Sequence, residues 1–429
     1  MDIAIIGSGI SGLVCAHLLA RRHAVTLFES EARLGGHTHT VEVQDPRGTL
    51  AVDTGFIVFN DWTYPNFQRL MGQLGVRDQA SSMSFAVKSA ASGLEYNGTS
   101  LDSLFAQRKN LFSPRFLGMV RDILRFGRRA PELLREEGPD PAAGPSLGEY
   151  LRAGRFGRAF IEEYIVPMGA AIWSSSKAEL LRYPARFFVR FFHNHGMLSV
   201  DDRPTWRVLT GGSRSYLGPI SAPFAAGIRL ATPVRGVRRE ADGVRLRLPG
   251  DRSERFDQVV LACHSDTALA LLEDPSDAER EILGSIRYQT NRTVLHTDPR
   301  VMPRLEKAWA AWNVELSAAD TAPEGSPLAR PEAPVRVTYW MNRLQSLAAE
   351  RDYFVTLNQT ADIAPERILR RLEYHHPVFD PPAVRAQARW RELYGVRRTW
   401  YAGAYWSWGF HEDGVKSGLR VAEAFSESL

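Results

Sequence analysis

"DIAIIGSGISGLVCAHLLARRHAVTLFES", Asp2 to Ser30, reads as a short apolar strand, a glycine turn, an amphipathic helix and a second apolar strand ending in an acid. Together these make one βαβ unit. Gly7 permits the tight turn, Gly9 lets the backbone approach a pyrophosphate, and Gly12 with Ala16 lets the helix pack closely on the sheet. Glu29, closing the second strand, is placed to hydrogen-bond a ribose 2'-hydroxyl, and an acid there repels the 2'-phosphate of NADP. Ser11 and Ser30 complete this first group of expected cofactor contacts. A glycine turn alone is common; strand before, helix after and acid at the right interval are met together here.

Working outward, 429 residues exceed what one core usually supports, roughly 250 to 300 residues, so more than one core is expected. No stretch approaches the roughly 18 uninterrupted apolar residues of a membrane span. The chain starts Met-Asp and runs straight into Ile3, with no basic segment and cleavage site, so no export and a cytoplasmic location are expected. Two cysteines, Cys15 and Cys263, far apart and in apolar contexts, fit a reducing compartment without disulfides or a structural metal. A net charge of +4 predicts no nucleic-acid partner. Its distribution is uneven: Arg115 to Arg135 holds six arginines among Phe116, Leu117, Met119, Val120, Ile123, Leu124 and Phe126, a basic, helix-prone stretch.

Further segments follow the βαβ unit. They are "EARLGGHTHT" (31–40), "AVDTGFIVF" (51–59), "VLTGGSRSYLGPI" (208–220), "ATPVRGVRRE" (231–240), "FDQVVLAC" (256–263) and the C-terminal "YAGAYW...HEDGVKSGLRVAEAF". In this order they resemble the flavin monoamine oxidase superfamily, which includes amine oxidases, phytoene desaturases and protoporphyrinogen oxidase. The resemblance implies an α/β fold: a discontinuous Rossmann-like FAD-binding domain with an α+β substrate domain. It implies that Arg33, Gly35 and Gly36 hold the FAD pyrophosphate, that Gly55 and Phe56 lie along the isoalloxazine, and that Val234 meets adenine. At the C-terminal end it implies contact at Gly403, and backbone N–H groups of Gly414 and Val415 presented to flavin O2 from a helix N-terminus. Ala404 departs from the pattern, since many relatives carry an acid there; the hydrogen bond to the flavin's sugar chain is then missing or comes from another group such as Glu412. No cysteine lies in the C-terminal motif, so non-covalent FAD is expected.

The expected division is FAD-binding domain over 1–80, 204–273 and 395–429, a helical substrate or membrane-facing part over 81–203, and a substrate-domain sheet over 274–394. The first insertion carries breaks at Pro114, Pro131, "GPDPAAGP" (138–145), Pro167 and Pro184. In the second, "VRVTYWMNRL" and "DYFVTLNQT" alternate as strands of a sheet roofing the flavin. In "RYPARFFVRFFHNHGML", Phe187, Phe188, Phe191 and Phe192 recur at helical spacing beside Arg186 and Arg190: either a core face or a lipid-facing or acyl-lining helix. The same choice, surface helix or membrane contact, applies to 115–135. His37 with His39 and His193 with His195 stand at i, i+2, and no set resembles a metal site.

At a closer level "DTGFIVFNDWTYPNF", "GLEYNG", "RPTWRVLTGGSRSY" and "YAGAYWSWGFHEDG" resemble bacterial FAD-dependent oxidoreductases associated with cyclopropane-fatty-acid synthase-like methyltransferases. That resemblance implies a furan fatty acid pathway enzyme desaturating a methyl-branched, phospholipid-bound acyl chain to a conjugated diene by hydride transfer to flavin N5, with a lipid methyltransferase as partner. His411 and Glu412 are the candidate bases, with ribityl hydrogen bonding and helix capping as their competing roles. Tyr405 and Trp406 are the candidate walls of the site, with Trp206 or Tyr339 opposite, and Lys88 and Lys177 the lysines considered near N5. An amine oxidase or carotenoid-type desaturase, or a non-catalytic flavoprotein partner of the methyltransferase, stays open.

Overall fold

In the computed structural model Ile3, Ala4 and Ile5 are completely buried because their strand, Asp2–Ile6, lies mid-sheet. Residues 1–135, 138, 140–199, 201–321, 326–327 and 329–429 are described; Pro139 of the expected 138–145 linker lies outside them. The sheet is parallel, in the order Ile228–Arg229, Ala24–Phe28, Asp2–Ile6, Gln258–Leu261, Thr399–Tyr401. Five strands from four stretches of chain thus make one nucleotide-binding sheet, and burial on both faces explains the apolar runs of its inner strands, Ile3 to Ile6 and Val259 to Leu261.

The helix Ile10–Leu19 is not amphipathic as expected. Leu13, Val14, Cys15, Leu18 and Leu19 are all fully buried, because the sheet covers one side and the helix His411–Ala424 the other. Gly414 and Gly418 allow that crossing: a Cβ at Gly418 would stand 2.9 Å from both the Ser11 carbonyl oxygen and Val14 Cβ.

The roof is a seven-stranded sheet in the order Ile368–Pro377, Tyr288–His296, Phe354–Leu357, Arg336–Trp340, Trp312–Leu316, Phe85–Ser89, Glu95–Asn97. Neighbours are antiparallel except Phe85–Ser89, which runs parallel to Trp312–Leu316. Two of its strands therefore come from the insertion expected to be helix-rich, ahead of the helices. Pro167 does not break the chain there: a π-turn at Ile161–Ile165 precedes Val166–Trp173 and absorbs the missing N–H. The aromatic helix Ala185–Asn194 buries Phe188, Phe191 and Phe192, each no more than 3% exposed. Phe187 packs on Phe379 at 5.3 Å and Trp408 at 6.1 Å. That corrects the lipid-facing alternative for this helix, whose aromatics fill the core beneath the roof. No helix among the described residues is long and apolar enough to cross a membrane.

Candidate active site

The first turn is tight because Gly7 sits at φ 106°, where a Cβ would come within 2.6 Å of the Ala262 carbonyl oxygen. Gly9 differs: a Cβ there would meet nothing within 4 Å, since the residue lines a cavity of about 960 Å³. Glu29 stands on the same wall. Its carboxylate accepts from the Ser8 N–H at 2.9 Å, the Ser8 hydroxyl at 2.6 Å, the Ser30 hydroxyl at 3.1 Å and the Glu31 N–H at 2.9 Å. The acid is held rigidly beside the glycine turn.

From there the cavity passes Gly36, Gly55, Phe56, Val234 and Gly403 and enters a chamber between the roof and the helical insertion, where Trp173, Phe191, Tyr339, Trp408 and Phe410 face it. Gly7, Gly9, Ser11, Glu29, Ser30, Gly36, Gly55, Phe56, Val234 and Gly403 are thus brought to one wall. Five other positions assigned to the cofactor from the sequence are not. Gly12 seats the helix, its would-be Cβ 2.0 Å from the Gly7 carbonyl oxygen. Gly35, at φ 111°, donates its N–H to the Ser8 carbonyl and so shapes the turn from behind. The Arg33 guanidinium is directed to the Thr38 carbonyl at 3.2 Å. Gly414 and Val415 require a correction: the Gly414 N–H is bonded to the Phe410 carbonyl at 3.0 Å, Gly414 packs against Ile10 and Ser11, and Val415 is fully buried. It is the preceding residues of that helix end, Phe410 and His411, that reach the cavity.

The catalytic assignments change more. Glu412 does not face the cavity: its carboxylate accepts from the Asn66 side chain at 2.6 Å and the Phe67 N–H at 2.9 Å, capping the helix Pro65–Gln73. It is a capping residue, not a base, and cannot supply the sugar-chain hydrogen bond. Trp406 is not on the cavity lining; it is buried in the core that also holds Leu261, Ala383 and Ala386. Tyr405 does line the cavity, with a buried hydroxyl that has no hydrogen-bond partner by geometry among the described residues. Trp206 and Tyr339 line it too. Lys88 and Lys177 are paired with Glu315 at 3.0 Å and Glu162 at 3.4 Å, away from the site. His411 lies on the wall, its ring stacked 3.5 Å from Phe56 and its Nε2 3.0 Å from Thr38 Oγ1; burial pushes it down to about 3.

Sequence reasoning missed the number of histidines here. Six of eleven line the cavity: His37, His195, His264, His375, His376 and His411. His37 stacks between His376 at 5.5 Å and His264 at 5.7 Å, and Tyr288 backs His264 at 4.4 Å. Asn291 accepts from Asn358 at 2.7 Å, which fixes its amide so that Nδ2 donates to His376 Nδ1 at 3.0 Å. His376 consequently carries its proton on Nε2. Burial first, and the neighbouring histidines next, hold His37 well below the usual histidine range and His376 at about 4. His37 and His376 thus present polar, uncharged rings at neutral pH. The "HTH" and "HH" pairs are the available signal in the sequence, though neither spacing by itself distinguishes a cavity wall; no group of three His, Cys, Asp or Glu among the described residues could hold a metal.

His195 stands apart, in the chamber. Its ring stacks on Phe191 at 3.8 Å and its Nδ1 lies 2.9 Å from the Phe191 carbonyl, which can only accept. Nδ1 therefore bears the proton and Nε2 the lone pair. Burial lowers this histidine to about 4.

An open backbone at Gly9, a fixed acid beside it, an unpartnered tyrosine hydroxyl and a long cavity ending in an aromatic chamber fit FAD, with its nucleotide on the parallel sheet. A parallel nucleotide sheet roofed by a largely antiparallel one over such a cavity defines an FAD-dependent oxidoreductase of the amine-oxidase-like fold. The family of flavin containing amine oxidoreductases matches residues 10–425, and the chain belongs to it. The structure is similar to cyclohexylamine oxidase from Brevibacterium oxydans IH-35A (TM-score 0.70, 15% identity), to putrescine oxidase bound to putrescine (0.69, 16%) and to the CLA-producing fatty acid isomerase from P. acnes (0.67, 16%). In each case 99% of this chain and 98% of the other are covered.

Proposed function

We propose that this enzyme dehydrogenates a lipid acyl chain, converting a methyl-branched unsaturated fatty-acyl group, held in a phospholipid, to a conjugated diene. The observation that carries this reading is the lining of the cavity: among the described residues its only acidic or basic side chains, histidines aside, are Glu29, at the nucleotide end, and the exposed Arg203, at the chamber mouth. A hydrocarbon chain suits the aromatic interior, and a phosphate or ester head suits the cation at its entrance. The fatty acid isomerase among the similar structures takes an acyl substrate within the same fold, and the closer sequence resemblance points to a lipid methyltransferase as the source of the methyl branch.

When bound, FAD supplies a two-electron hydride acceptor. Gly7, Gly9 and Glu29 would hold its nucleotide half, while Phe56, Gly403 and Tyr405 border the passage to the chamber. Neither cysteine offers a thioether to the flavin ring: Cys15 is sealed under its helix, and Cys263 sits at the nucleotide end, its thiol pushed up to about 12 by burial. Trp173, Phe191 and Phe410 exclude water from the acyl chain. His195 receives the proton at Nε2, because its tautomer is fixed by the Phe191 carbonyl and it is uncharged at neutral pH. A C–H bond next to an allylic cation is strongly acidic, so a weak base suffices.

The deciding experiment adds a methyl-branched unsaturated phospholipid, or an amine, to the purified yellow protein without oxygen. Bleaching of the flavin and appearance of diene absorbance with the lipid support the reading. Bleaching by amines alone would place the enzyme with the amine oxidases.

A further inference from the structure

We propose that the face built by residues 101–129 docks on a membrane surface carrying anionic lipids. The helix Pro114–Arg129 buries Phe116, Met119 and Phe126 and turns Leu117, Arg121, Leu124 and Arg128 outward. These recur at spacings of four, three and four, so they share one face that alternates apolar and basic. Leu117 and Leu124 are 43% and 42% exposed, and just before the helix Phe112 is 85% exposed. With Leu101 and Leu111, this segment holds five of the eleven large hydrophobic side chains exposed among the described residues. Such clustering marks an interaction site rather than ordinary surface.

Charge identifies the occupant. Residues 101–129 hold seven basic and two acidic residues, net +5, against +4 for the whole chain, so the rest of the protein is net −1. Arg108 is paired with Asp102, Arg115 with the buried Glu163, and Arg121 and Arg125 with Asp122, whereas Lys109, Arg128 and Arg129 form no ion pair among the described residues. Unpaired cations interleaved with open Phe and Leu side chains match the bilayer interface, where rings enter the acyl boundary and cations meet lipid phosphates. A second copy of the chain would bring the same positive charge face to face.

The face also adjoins the chamber. A Cβ at Gly127 would lie 2.4 Å from the Leu198 carbonyl oxygen, so the last turn of the helix supports the loop that supplies Met197 and Arg203 to the cavity mouth. A docked molecule holds that mouth close to the lipid surface. The docking does not depend on which lipid reacts.

The FAD-loaded protein is sedimented with vesicles of phosphatidylcholine alone and of phosphatidylcholine with phosphatidylglycerol. It is expected to pellet only with the anionic vesicles, and binding should fall at least about fivefold when salt is raised. The paired variants Phe112→Ser with Leu117→Ser, and Arg121→Glu with Arg128→Glu, should each bind about tenfold more weakly while keeping their FAD and melting temperature. Protein that stays in the supernatant with anionic vesicles overturns the proposal, as do folded variants that bind like the parent. A dimer in light scattering that these variants dissociate also overturns it, by giving the face to a second copy.

Discussion

Gly9 and Gly12 belong to the same turn but should fail differently. A valine at Gly9 enters only open space on the protein side, so Gly9→Val should fold, melt normally as apoprotein and purify colourless. A valine at Gly12 collides with the Gly7 carbonyl and should lower the stability of the apoprotein itself by about 1–3 kcal/mol. Absorbance of bound flavin and melts of the apoprotein separate the two. A second pair distinguishes capping from proton transfer. Glu412→Gln should cost roughly 1–3 kcal/mol of stability with flavin and turnover retained, because it loosens the end of Pro65–Gln73. His195→Gln should leave both flavin and stability in place and slow turnover of the acyl substrate by about 10²- to 10⁴-fold. Turnover abolished by the Glu412 change alone would restore that residue as the base. The glycine turn was legible because its constraints are local, within thirty residues. Glu412 was not, since its partners Asn66 and Phe67 lie some 345 positions earlier and nothing near it announces them.

The helices Ile10–Leu19 and His411–Ala424 cross where Gly414 leaves room, a Cβ there falling 2.6 Å from Ile10 Cγ2. Gly414→Val should therefore force the elements apart, destabilising the protein and loosening flavin together, whereas a residue acting only through its N–H would tolerate the change. Dissociation constants for FAD alongside melts test this; unchanged values for both would show that the crossing has slack. At this level the apolar strands and the aromatic helix could be read from periodicity. The strands Phe85–Ser89 and Glu95–Asn97 could not, because they gain their place only by pairing with residues more than two hundred positions on or with each other at that sheet's edge. Pro167 misled for a different reason: a π-turn accommodates it at a cost no local signal reveals.

Taken whole, the molecule keeps an unusual number of neutral imidazoles indoors. His195, His376, His39 and His296 are held at about 4 and His411 at about 3, in every case chiefly by burial. Their folded values lie below the ordinary 6.5, so the native state binds fewer protons than the unfolded one. Their stabilisation is full above pH 6.5 and is lost as pH falls towards 4, each adding up to about 1.4 kcal/mol per pH unit to the slope. Asp53 and Asp413, raised to about 6 by burial, act with the opposite sign and offset part of the loss. Melts of the apoprotein should fall steeply across that window; a flat profile would mean the histidines are wetter than their packing indicates. The nucleotide sheet adds a constraint of timing. Its edge strand Thr399–Tyr401 and the helix that brings Phe410 and His411 to the cavity are made long after the glycine turn they complete. A growing chain on the ribosome thus carries its glycine turn through most of synthesis before the strands and the last helix that complete the pocket exist.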